Sequence, residues 1–133
     1  MTIVVDSSVA VSWCIPDEIS PISDMVLGQV ERQGMLVPSL FWYEVRNVFI
    51  VNERRGRITE NIVHGSLKRL SAFPIIYATE HDETMLLQLS RKHRLSVYDA
   101  AYLEIAIQNE APLASLDKAL LAAAKVENLE YFA

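Results

Sequence analysis

Four carboxylates stand where they could do chemistry together. Asp6 ends the β-branched run Ile3-Val4-Val5 and is followed at once by Ser7 and Ser8. Glu44 lies within Phe41-Trp42-Tyr43-Glu44-Val45-Arg46-Asn47-Val48. Asp99 lies within Ser96-Val97-Tyr98-Asp99-Ala100-Ala101-Tyr102, and Asp117 ends Ala114-Ser115-Leu116-Asp117. If they converge, they make a site that needs a divalent cation. Two carboxylates about 4 Å apart repel by roughly 4 kcal/mol at an effective dielectric of about 20. Several together must take up protons or bind a metal. Hard oxygen ligands without histidine or cysteine beside them favour Mg2+ or Mn2+ over zinc.

Each acid also has an innocent role open to it. Asp6 can cap a first helix, Asp99 can complete a capping box with Ser96, and Asp117 can be the N-cap of a last helix. Glu44 resists that reading, because Leu40, Phe41 and Val48 are among its neighbours one helical turn away. Asp99 has Tyr102, Leu103 and Ala106 along its face. An ionised acid among such residues is costly to bury unpaired. Arg46 is close to Glu44 in sequence, but on a helix it points elsewhere.

The elements that must position these acids alternate. A strand at Ile3-Val4-Val5 precedes a short helix from Ser7 to about Cys14, which Pro16 stops. Ser20-Pro21 opens a helix that Gly34 closes. Met35-Leu36-Val37 is a strand ended by Pro38. Ser39 is expected to cap a long helix to about Arg55, with Gly56 as its stop. Thr59 opens another, so Ser39 to Leu70 reads as a helical hairpin projecting beside the sheet. Ile75-Ile76-Tyr77 is a strand, and Asp82 and Ser96 each open a helix. Pro112 to Ser115 is a buried strand, Asp117 caps an alanine-rich helix, and Leu129 to Phe132 is an edge strand. Strands separated by helices imply right-handed crossovers and a parallel sheet covered on both faces. Open sheets of this kind bind ligands at the carboxyl ends of their strands.

The chain has 133 residues, 51% of them apolar, which points to one domain over residues 1–133 with a usable core. No apolar run approaches a membrane span, and the start lacks the basic region of a signal peptide. Cys14 is the only cysteine and reads as a small buried side chain, so a cytoplasmic protein is expected. The net charge of −5 argues against holding nucleic acid by bulk positive charge, but not against a metal-neutralised nuclease. Basic residues cluster at Arg54, Arg55 and Arg57, at Lys68-Arg69, and at Arg91, Lys92 and Arg94. They could track a phosphate backbone; the favoured reading is that they complement helix C-termini. His64, His81 and His93 lack metal-ligand spacing, the glycines form no phosphate loop, and no Gly-x-Ser-x-Gly elbow occurs.

Along nearly its whole length the chain resembles the PIN-domain family, specifically the VapC-type toxins of toxin–antitoxin modules. The four acidic motifs carry the resemblance, with Leu95 and Leu103 flanking the third. It implies a three-layer α/β/α sandwich with a mostly parallel five-stranded sheet. It implies a metal-dependent endoribonuclease in which Asp6, Glu44, Asp99 and Asp117 form the acidic quartet. Asp6 and Asp99 are the expected direct ligands of Mg2+ or Mn2+, and Glu44 the holder of a second metal or of its water. Ser8 and Asn47 match polar positions beside the first two acids. The expected partners are an RNA substrate, a cognate antitoxin over the active cleft, and a second copy in a homodimer.

The expected chemistry is in-line attack of an activated water on an RNA phosphodiester, with Glu44 orienting or deprotonating that water. The alternative is a catalytically inactive dimeric RNA- or protein-binding PIN module. A receiver domain is disfavoured because Lys118 follows Asp117 on a helix. An aspartyl-nucleophile phosphohydrolase is disfavoured because Ser8 stands where a second acid belongs.

Overall fold

A computed structural model describes residues 2–132 of the chain. Five strands form one sheet: β1 (Ile3–Val5), β2 (Met35–Pro38), β3 (Ile75–Ala78), β4 (Leu113–Ala114) and β5 (Tyr131–Phe132). Their order is β3-β2-β1-β4-β5, and every neighbouring pair is parallel, where a mostly parallel sheet was expected. The helices are α1 (Ser7–Ser12), α2 (Pro21–Gln33), α3 (Phe41–Arg54), α4 (Glu60–Ser71), α5 (Glu83–His93), α6 (Val97–Gln108) and α7 (Lys118–Val126).

The chain moves outward from β1 through β2 to β3, then jumps back across β1 to β4 and β5. Right-handed crossovers therefore put the helices before β3 on one face and those after it on the other. The packing agrees, with α1 against α2 and α3 on one side and α6 against α5 and α7 on the other. β1 and β4 meet where the direction of winding reverses, the place where open α/β sheets bind ligands.

The central strand is buried on both faces, with Ile3, Val4 and Val5 all at 0% exposure. Strands of that kind read as continuous apolar runs rather than alternating ones. α6 is buried at every residue of Ala100–Ala106 and packs across β1, β2 and β4. Fully burying one such aliphatic side chain contributes about 1.5–3 kcal/mol, so β1 and α6 form a stiff support for anything mounted on their ends.

Several local expectations change. α1 ends at Ser12, and a short 3₁₀ turn over Pro16–Glu18 follows before α2. Ser39 does not cap α3; its N-cap is Leu40, already in helical conformation and without a side-chain cap bond. The α3–α4 hairpin is joined to the common core. It buries Phe41, Val45 and Phe49 from one helix and Val63 and Leu70 from the other. The basic clusters do sit at helix C-termini, with Arg54, Lys68-Arg69 and Arg91-Lys92 all in last turns. Arg57 is engaged by Asp17 at 2.9 Å and Glu18 at 3.4 Å.

Candidate active site

Asp6 follows directly from the end of β1 and is 5% exposed. Both of its carboxylate oxygens are held. Ser8 Oγ donates to Oδ1 at 2.5 Å and Ser115 Oγ donates to Oδ2 at 2.5 Å. Oδ1 also accepts from the Val9 N–H at 3.2 Å, so Asp6 caps α1 while facing the site. The two serines are themselves anchored by the loop after β4. Ser8 Oγ accepts from the Leu116 N–H and Ser115 Oγ accepts from the Asp117 N–H. This small network ties β1 to β4 at the sheet's switch point and sets Asp117 beside Asp6.

Asp117 caps α7 by accepting from the Leu120 N–H at 2.9 Å. Asp99 sits in the first turn of α6, where its N–H donates to the Ser96 cap at 3.1 Å. Glu44 sits in the first turn of α3 and accepts from the Tyr102 phenol at 2.6 Å. Asp6 and Asp117 thus cap helices with their side chains, whereas Asp99 does not complete the expected capping box: its N–H is capped by Ser96, with no return bond from its carboxylate to the Ser96 N–H.

The acids feel one another. Burial pushes the Asp6 carboxyl above its ordinary range, the Ser115, Ser8 and Val9 hydrogen bonds oppose it, and the Asp117 charge adds to it. Burial also raises Glu44, with the charges of Asp99 and Asp6 pushing the same way. Asp99 is raised by burial and then by Asp117. None of the four acids takes part in an ion pair among the described residues. Arg46 does point elsewhere, its guanidinium lying 6.0 Å from the Trp42 ring centre and 5.8 Å from that of Tyr43. The four acids therefore stand together without a cationic side-chain partner among the described residues.

Among the described residues no group of three or more His, Cys, Asp or Glu side chains is arranged so that it could hold a metal ion by itself. A groove of ≈ 440 Å3 lined by Ser7, Ser8, Val11, Glu18, Val48 and Leu116 runs from the serines beside Asp6.

Ser8 thus contacts Asp6 directly. Asn47 is exposed on α3 and makes no side-chain hydrogen bond among the described residues. Two contacts of the site escape a reading of the sequence. Ser115 looks like the last residue of a buried strand, and only the β1–β4 pairing shows that it reaches Asp6 across 109 positions. Tyr102 reads as core, but a buried phenol needs a partner, and that need is the signal that it has one.

The PIN-domain family profile matches residues 3–126. The chain belongs to the PIN-domain family. Ribonuclease VapC3 of Pyrobaculum aerophilum is 30% identical over 123 residues, covering 90% of this chain and 92% of that protein. The fold agrees as well. This PIN domain superposes on the crystal structure of PAE2754 from Pyrobaculum aerophilum with a TM-score of 0.73 at 18% identity, over 92% of this chain and 84% of the other. FitAcB from Neisseria gonorrhoeae gives a TM-score of 0.57 at 15% identity, over 99% of this PIN domain and 97% of that chain.

Proposed function

We propose that this PIN domain is a Mg2+- or Mn2+-dependent endoribonuclease and acts as the toxin of a toxin–antitoxin pair. The observation that carries the reading is the uncompensated acid set at the β1–β4 switch point, in a chain whose relative is a ribonuclease. Asp6 and Asp99 would hold the cation, with Asp117 beside Asp6 and Glu44 completing the site as the holder of a second cation or of its water. When bound, the cation would supply Lewis acidity to the phosphodiester and to a water. The protein's own part is positional. Ser8 and Ser115 hold the Asp6 carboxylate in one orientation, and their hydrogen bonds favour its charged form against the opposing effect of burial. Glu44, whose affinity for protons is raised, accepts a proton from the water as it attacks in line. The groove beside Ser7 and Ser8 is one opening by which RNA would approach the acids. An antitoxin over this cleft, a homodimer and residence in the cytoplasm complete the proposal. No helix among the described residues is long and apolar enough to cross a membrane.

The test is RNA cleavage with Mg2+ or Mn2+, with and without chelator, for the wild type, Asp6→Asn and Asp99→Asn. Cleavage should require metal, and each substitution should reduce it by at least about 10- to 100-fold, the loss that follows even when a partner of a metal ligand is removed. Equal cleavage by all three proteins, or cleavage indifferent to chelator, overturns the proposal.

A further inference from the structure

α6 contributes to the site twice. Asp99 is in its first turn, and Tyr102 lies three residues on, so both side chains leave the helix on the same face. Tyr102 is 1% exposed, and its hydroxyl reaches across to α3 to donate to Glu44 Oε1 at 2.6 Å. Those two residues are 58 positions apart. No lysine or arginine performs this task, since no ion pair among the described residues includes Glu44.

We infer that Tyr102 is a positioning residue for the cation site, acting through Glu44. A glutamate has several rotatable bonds and loses that freedom when it is called on to hold a ligand. Tyr102 removes the freedom in advance. Its ring is fixed by the core around α6, and its hydroxyl has one proton to give, which selects one orientation of the Glu44 carboxylate. Because Asp99 rides on the same helix, one rigid element sets both its own carboxylate and the direction in which α3 offers a second. A cation is attracted to Glu44 without being repelled by the clamp, which a lysine or arginine in that position would do.

This inference rests on the metal-dependent reading above, and it is tested by metal binding rather than by cleavage. Mn2+ is titrated into the wild type, Tyr102→Phe, Glu44→Gln and the double variant, with free Mn2+ followed by electron paramagnetic resonance. Circular dichroism confirms the fold of each; phenylalanine keeps the ring, so the core stays filled. Partners that orient a metal's ligands typically contribute about 10- to 100-fold in affinity. Tyr102→Phe should weaken Mn2+ binding by that order in the wild-type background and have little further effect in Glu44→Gln. Unchanged affinity in Tyr102→Phe overturns the inference while leaving the nuclease reading standing. An equal loss in both backgrounds overturns it too, because Tyr102 then acts through packing and not through Glu44. Absence of Mn2+ binding by the wild type overturns both.

Discussion

Asp6 engages both carboxylate oxygens with serine hydroxyls, yet burial still holds its proton affinity above the ordinary range. Asp99 and Glu44 are raised as well, first by burial and then by neighbouring acids. A carboxyl whose folded pKa exceeds its unfolded one favours the folded state most when protonated. Its contribution is complete below the unfolded pKa and is lost as the pH climbs through the folded value. The metal-free protein should therefore be held back at neutral pH by its own site. Asp99→Asn removes one such charge while keeping a side chain of the same shape. We expect it to raise the melting temperature by a few degrees at pH 7 in the presence of chelator, with the gain shrinking as the pH falls toward the unfolded pKa. Thermal denaturation at several pH values checks this; a variant that melts lower than wild type at neutral pH contradicts it.

At the scale of elements, the caps were legible in the sequence. Ser20, Thr59, Asp82, Ser96 and Asp117 each accept a hydrogen bond from their own helix as expected. Capping is a local matter of side-chain reach, so a short stretch of sequence contains it. Ser39 failed as a cap because Leu40 already adopts helical angles, φ −69° and ψ −14°, and the turn after Pro38 feeds α3 directly. Gly34 illustrates the other limit. Its closing of α2 could be read from sequence, but its tertiary contact could not. It sits at φ +81°, and a Cβ there would stand 2.9 Å from the Pro74 carbonyl oxygen. That oxygen accepts from the Met35 N–H at 2.9 Å, where β2 begins to pair with β3. Gly34→Ala is thus opposed by both backbone conformation and crowding, and should cost about 1–3 kcal/mol of stability. Chemical denaturation measures it; a loss below about 0.5 kcal/mol, the range of an ordinary surface substitution, contradicts the argument.

At the scale of the molecule, buried residues from Ile3 to Ala124 form one connected cluster spanning both helical layers and the sheet. A cation bound between the acids as proposed would favour the folded chain. Mn2+ should raise the melting temperature in a concentration-dependent way, corresponding to about 2.7 kcal/mol at a hundred times its dissociation constant. Asp6→Asn should blunt the rise, and calorimetry with and without chelator would show it. The sequence by itself determined the alternation of strands and helices, because hydrophobic period and capping chemistry act over a few residues. It also determined which acids were out of keeping with their apolar neighbours. Only the tertiary structure decided what those acids touch. Ser115 meets Asp6 and Tyr102 meets Glu44 across 109 and 58 positions, by way of β1–β4 pairing and the packing of α6. Such contacts depend on how strands are ordered in the sheet, and strand order is a property of the whole chain that no local pattern encodes.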